Sequence, residues 1–422
     1  MINERSLATI AGAARLPGGR VRPLYDSYGF AGIPGTLLQL FGERGAHALP
    51  DDVLPQLDGA PPRVVAVFID ALGWAFVERF AERAPLLARL REQGVVSKLT
   101  TQFPSTTTAH VTTLHTVQPV GEHGSYEWYI YEPSLDRLIC PLTAAFAGEP
   151  HGGLLAAGTD LAAIYPQAEG LAMRLARLGV GTHLVEPAEI VDTPFTQLVC
   201  AGATVHGFES ARTGAALAAR LARSSAPSLT VLYLENFDTI GHQLGPDDPR
   251  SEAVALELLE AVERELVDAL AGTPGALVLL FADHGQVPTD PERCVYVNER
   301  CPQLVPLLRR GADGRPLAPA GSARDLFLHV REGALDEALG LLEGLFGDEA
   351  WVAPTAQLAA DGLFGPRISA RFRERVGDVV VLPRAGVEAW WREPGLFEQD
   401  KRGHHGGLEP AEAETWLGAL VP

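Results

Sequence analysis

Residues 276–286 read ALVLLFADHGQ, an apolar run that ends on Asp283 and His284. Continuous runs of Val, Leu and Phe read as strands buried on both faces of a parallel sheet. The same design occurs twice more, in VVAVFID ending at Asp70 and in LTVLYLENFD ending at Asp238. In open α/β sheets ligands collect beyond the carboxyl ends of the strands, so three acids would be delivered to one rim. Three carboxylates there repel one another unless a cation lies between them. His242, four residues after Asp238, then His284 beside Asp283, and His404 and His405 near the C-terminus add imidazoles. Carboxylates and imidazoles with no cysteine among them suit zinc or another first-row divalent ion, and point to a two-metal hydrolase.

Each piece alone has a plainer explanation. Asp70 could cap a helix at a βα turn, Asp238 and His242 could be an exposed i, i+4 pair, and Asp283–Gly285 could be a polar turn closing a strand. Their occurrence together is what carries the metal reading.

Outward from these runs, the chain alternates strand and helix signals. The strand at 64–70 is followed by a helical pattern through Phe76, Phe80, Leu87 and Leu90, and further strand-like runs fall at 182–186 and 229–235. Asp248 and Pro249 read as N-cap and first helical residue, with Val254, Leu258, Leu259, Val262, Leu266 and Leu270 as one apolar stripe. Residues 1–62, rich in Gly and Pro, are expected to wrap the outside of the core. After residue 290 the pattern changes to a Gly/Pro-rich loop, a short strand (DLFLHV, 325–330) and an amphipathic helix (ALDEALGLLEGLF, 334–346). The division expected is a catalytic α/β core over 1–290 and 376–422, with 291–375 as a small α+β cap insertion and GDVVVLP (377–383) rejoining the main sheet.

At 422 residues the chain is too long for one simple core. A net charge of −19 argues against a nucleic-acid polymer as partner, whereas small phosphate esters fit a site whose metals reverse the local field. The N-terminus, MINERSLATIAGAARLPGG, lacks the continuous apolar stretch of a signal peptide, and no run approaches the length of a membrane span. Cys140, Cys200, Cys294 and Cys301 fall in no metal or redox spacing and read as free thiols of a cytoplasmic protein.

Five segments in order resemble the alkaline phosphatase superfamily, most closely its type I phosphodiesterase/nucleotide pyrophosphatase family. They are FIDALGW, FPSTTTAHVTTLHT, YLENFDTIGHQLGP, FADHGQ and GHHGGLEP, spread over roughly 64–410. The resemblance implies an alkaline-phosphatase-like fold, with a mostly parallel central sheet flanked by helices. It also implies two zinc ions. One would be held by Asp238, His242 and His405, the other by Asp70, Asp283, His284 and the oxygen of the nucleophile. His404 is read as a neighbour, because the family's histidine immediately precedes a glycine and only His405 does so.

The family's nucleophile precedes a helix and stands nine residues before a Thr-Gly, which is followed by a Pro and a His-Gly. Thr116, Pro119 and His123–Gly124 play those later parts, with Val117 in place of the Gly, and this assigns Thr107. Anchoring on Phe103–Pro104 shifts the choice toward Ser105 or Thr106. His110 and His115, in the same segment, read as core or supporting residues. The family's diesterases also use an asparagine shortly after the His-Gly, and SYEWYIYEP (125–133) contains none. Trp128 and Tyr129 are the candidates for stacking on a base or aryl leaving group.

The function implied is hydrolysis of phosphate diesters, nucleotides among them, through a phosphothreonine. The alternatives are a monoesterase or phosphonate hydrolase on the same metals, and a catalytically silent metal-binding protein. The absence of any basic residue between Lys98 and Arg137 leans toward the diester.

Overall fold

A computed structural model describes every residue of the chain except 58, 60–62, 167, 225–226 and 396. Among the described residues, seven strands form the central sheet: β1 (Arg63–Ile69), β2 (Val95–Thr100), β3 (Gly181–Pro187), β4 (Thr204–Phe208), β5 (Ser228–Leu234), β6 (Ala276–Phe281) and β7 (Glu414–Leu420). Their order is β2-β7-β6-β1-β5-β3-β4, all running the same way except β7, which is antiparallel to both neighbours.

The apolar runs form the middle of this sheet because both of its faces are covered. Val64, Ala66 and Phe68 of β1 face one hydrophobic core, while Val65, Val67 and Ile69 face the other. Register then sets the rim. Ile69 pairs with Leu234 and Phe68 with Phe281, so β1, β5 and β6 end nearly level and release their polar residues at one edge. The helices that matter here are α1 (Thr107–Thr116), α2 (Asn236–Leu244) and α3 (Pro249–Val262). Asp248 caps α3 through the Arg250 N–H at 2.8 Å.

Three expectations are corrected. The strand Val379–Pro383 does not rejoin the main sheet. It lies inside a four-stranded antiparallel sheet with Ala320–Ser322, Asp325–Leu328 and Ala350–Pro354. The place beside β6 belongs to β7, from the C-terminal end of the chain. The first 62 residues do more than wrap the outside, since Phe30, Ile33, Leu37 and Leu38 are wholly buried in one of the two cores. The helical pattern after β1 is two helices, Trp74–Phe80 and Pro85–Gln93, divided where Pro85 can only begin a helix. Among the described residues no helix is long and apolar enough to cross a membrane.

Candidate metal and nucleophile site

Each acid expected at the rim is delivered by the element before it. Asp70 follows β1 directly, and its N–H still donates to Leu234 O at 2.9 Å. Asp238 sits in the first turn of α2, and His242 lies one turn on along the same face, with Nε2 3.3 Å from Asp238 Oδ2. Asp283 and His284 follow β6, and Gly285 is needed after them because a Cβ there would lie 2.1 Å from Ala411 O. His405 comes from a segment in which Gly403–His404 pairs antiparallel with Val287–Pro288.

The six side chains form two groups, Asp238/His242/His405 and Asp70/Asp283/His284. Within each group the potential ligand atoms all lie within 4.8 Å of one another. The His284 and His405 rings join the groups by stacking at 3.8 Å between centroids.

The hydrogen bonds around the histidines show what these groups are suited to hold. Nδ1 of His242 faces Gly403 O at 2.7 Å, Nδ1 of His284 faces Gly285 O at 3.0 Å, and Nδ1 of His405 faces Ser105 O at 3.0 Å. Each Nδ1 therefore carries the proton, which leaves Nε2 as a bare lone pair. Those lone pairs point at carboxylates: His284 Nε2 is 3.2 Å from Asp283 Oδ2, and His405 Nε2 is 3.5 Å from Asp238 Oδ1. Two acceptors turned toward each other repel until a cation sits between them. Asp283 Oδ2 is buried without a hydrogen-bond partner among the described residues, while Oδ1 accepts Ala71 N–H and His284 N–H.

Burial pushes the Asp283 carboxyl up to about 7, and burial with Asp283 and Asp238 nearby pushes Asp70 well up. Burial also holds His284 and His405 well below the usual imidazole range, so both stay neutral. Neutral imidazoles beside carboxylates that are costly to ionise alone fit divalent cations bound through N and O.

Thr107 is the first residue of α1, and Thr106 is its extended N-cap. That geometry brings the Thr107 hydroxyl, rather than that of Thr106, to the acids. Its Oγ1 is 3.3 Å from both Asp70 oxygens and 3.2 Å from His284 Nε2. Asp70 is held from behind by the Tyr233 hydroxyl at 2.5 Å, and Asp238 by Gln286 Nε2 at 2.6 Å. His404 belongs to neither group and lines the cavity beside His242. His110 and His115 are buried, and Cys140, Cys200, Cys294 and Cys301 are unpaired.

A cavity of about 580 Å³ opens over this floor. Trp128, 41% exposed, and Tyr129 line it together with Trp390, Phe397 and Lys401. Tyr129 packs against Trp390 and Phe397 at 6.3 and 5.4 Å between ring centroids, so it belongs to a fixed wall, whereas Trp128 projects. Tyr233, Gln286, Glu127 and Lys401 have no assignment from sequence. Gln286 was in sight, inside FADHGQ, but nothing in the run says which carboxylate it meets.

Residues 64–408 match the type I phosphodiesterase / nucleotide pyrophosphatase family. The chain belongs to this family. The matched span includes every residue of both ligand groups and Thr107. Members are metal-dependent phosphodiesterases and pyrophosphatases of the alkaline phosphatase superfamily. Among solved structures, murine ectonucleotide pyrophosphatase/phosphodiesterase 5 is similar in fold, with a TM-score of 0.65 at 17% identity over 85% of this chain and 88% of that one. An inactive threonine-to-alanine variant of the murine protein in complex with AMP gives 0.64 at 16% identity, over the same 85% and 88%. The human protein gives 0.63 at 16% identity, again over 85% and 88%. No curated protein matches in sequence.

Proposed function

We propose that this phosphodiesterase uses Thr107 to attack the phosphorus of a small diester, nucleotides included, and passes through a phosphothreonine. The observation that carries the assignment is the Thr107 hydroxyl, 3.2–3.3 Å from Asp70 and His284 at the edge of two ligand groups. Asp70 orients Oγ1, and Tyr233 fixes Asp70. The opening turn of α1, whose N–H groups lack helical partners, adds its positive dipole end beside the attacking oxygen. As Oγ1 bonds to phosphorus, the ester oxygen of the leaving group departs, and water later cleaves the phosphothreonine. Two divalent cations, zinc by the chemistry of the ligands, would supply Lewis-acid stabilisation and lower the pKa of the hydroxyl and of water.

The exposed ring of Trp128 supports a nucleobase or aryl group as one ester arm. Lys401, on the cavity wall, supports a pyrophosphate diester, whose second phosphoryl group it would meet. Segment 291–375 supplies Ala320–Ser322 to the small sheet whose edge borders the cavity, in keeping with a cap. Four unpaired thiols accord with a reducing compartment, and we assign the cytoplasm.

The test is turnover of bis-p-nitrophenyl phosphate beside p-nitrophenyl phosphate by zinc-loaded protein. Preference for the diester, lost in Thr107→Ala at unchanged metal content, is the expected outcome. Preference for the monoester would overturn the substrate class.

A further inference from the structure

The two oxygens of Asp70 have different neighbours, and Tyr233 makes the difference. Tyr233 is the last residue but one of β5, paired in register with Phe68 of β1, and its ring packs edge-on against Phe68 at 5.2 Å between centroids. That placement carries the phenol hydroxyl to the rim, where it lies 2.5 Å from Asp70 Oδ2. An ionised carboxylate can only accept, so the hydroxyl donates. Asp70 Oδ1 lies 3.6 Å from His284 Nε2, and its one side-chain donor among the described residues is the Thr107 hydroxyl at 3.3 Å.

Asp283 shows the same division. Its Oδ1 accepts two backbone N–H groups, from Ala71 at 3.1 Å and from His284 at 2.9 Å, while Oδ2 has no partner among the described residues. Each acid of this group thus has one oxygen engaged by the protein and the other left for a ligand bond. Counted in that way, Asp70 Oδ1, Asp283 Oδ2, His284 Nε2 and Thr107 Oγ1 make four ligand atoms, the number zinc favours. With both Asp70 oxygens bound, the set would exceed it.

We propose that Tyr233 is a positioning residue that withholds Asp70 Oδ2 from the cation, so that Asp70 binds through Oδ1 alone. A carboxylate that shares its charge with a phenol hydroxyl neutralises a bound ion less than one bound through both oxygens. The Thr107 hydroxyl, 3.3 Å from Asp70 and 3.2 Å from His284, then meets a stronger positive field as it attacks. Asp70 is 2% exposed and its N–H is tied to Leu234 O, so loss of the phenol hydroxyl frees an oxygen without freeing the side chain. The effect on rate rests on the phosphodiesterase reading, whereas the division of Asp70 rests on the ligand group alone.

The test is Tyr233→Phe in the whole chain, which removes one oxygen and keeps the ring. The readouts are zinc affinity by competition with a chelator, NMR of the cadmium-loaded protein, and kcat and KM for bis-p-nitrophenyl phosphate. The variant is expected to lose on the order of 10-fold or more in kcat at little changed KM, yet to hold zinc more tightly than the wild type. One cadmium resonance moves in the direction of added oxygen ligation, and the other stays. An ortho-fluorinated tyrosine at the same position, a stronger donor of nearly the same shape, loosens zinc and leaves both resonances in place; it decides the matter if Tyr233→Phe fails to fold. Weaker zinc binding together with slower turnover in Tyr233→Phe would make Tyr233 a prop for Asp70 and overturn the proposal. Unchanged affinity, unchanged kcat or two unmoved resonances would overturn it as well. Wild type inactive on both p-nitrophenyl esters would be a failure of the phosphodiesterase reading itself, and zinc affinity with the cadmium resonances would then decide the division of Asp70.

Discussion

At the scale of single residues, the site depends on side chains that hold other side chains. Gln286 donates to both the backbone and the carboxylate of Asp238, and so fixes the acid that anchors one ligand group. Gln286→Leu should weaken metal binding by about 10-fold or more, as loss of such supporting partners does. Competition against a chelator checks this, and unchanged affinity would remove Gln286 from the account. Five of the six ligands were legible in sequence because each follows an apolar strand-like run or rides one helix turn from an acid, whereas His405 was assigned only through the family resemblance, by the glycine that follows it. Tyr233 and Gln286 were not, because each meets its acid across 163 and 48 residues of chain, and pattern within a run carries no information about that distance.

At the scale of elements, the strands of the sheet centre were readable and its partner choices were not. VVVLP is buried throughout, which signals a covered strand but does not say which sheet covers it. ETWLGAL is also wholly buried, yet its glutamate hides it from any apolar pattern. The fold makes Glu414 tolerable through Lys98 at 2.6 Å and Arg15 at 3.2 Å. Helix α1 ends on Val117 with φ 60° and ψ 26°, the left-handed region that a β-branched residue adopts only under strain. Val117→Gly is expected to stabilise the protein by about 1 kcal/mol, less the backbone entropy of glycine, measured by denaturant unfolding. A destabilised variant would show that the packing of Val117 outweighs the strain.

The same α1 segment carries buried neutral histidines. His110 and His115 are held down to about 4, and His123 and His329, which packs beside Tyr131, to about 3, all chiefly by burial. His110 Nε2 accepts the Gln102 N–H at 2.9 Å, a bond that protonation would remove. A depressed folded pKa gives stability that is present above the unfolded value of 6.5 and lost as pH falls through the folded value. Unfolding free energy should therefore drop as pH is lowered below about 6.5. His329→Gln should lessen that slope by about 1.4 kcal/mol per pH unit, and an unaltered slope would place the acid sensitivity elsewhere.

At the scale of the whole molecule, one buried ion pair ties the small sheet to the core. Arg324, beside the strand Asp325–Leu328, meets both oxygens of Glu412 at 2.9 and 3.0 Å, and Glu412 in turn accepts Gly407 N–H at 3.2 Å next to the His405 segment. Arg324→Met should cost about 3–5 kcal/mol by leaving Glu412 buried and alone, and a near-neutral effect in thermal unfolding would mean that the two units are joined by packing instead. Metal binding also belongs to this scale, because its ligands come from both ends of the chain. Carboxyls with raised folded pKa stabilise the metal-free protein while protonated, and that contribution is lost as pH rises from the unfolded 3.8 through about 7 for Asp283. The gap in Tm between metal-loaded and chelated protein should therefore widen from pH 5 to pH 8, and a constant gap would contradict the ligand assignment. The central claim is that Thr107 takes up the phosphoryl group, and rapid quenching of the metal-loaded enzyme with bis-p-nitrophenyl phosphate, followed by peptide mapping, tests it most directly. A phosphorylated peptide carrying Thr107, absent from Thr107→Ala, is the predicted result; steady hydrolysis with no adduct, and with Thr107→Ala still active, would contradict it.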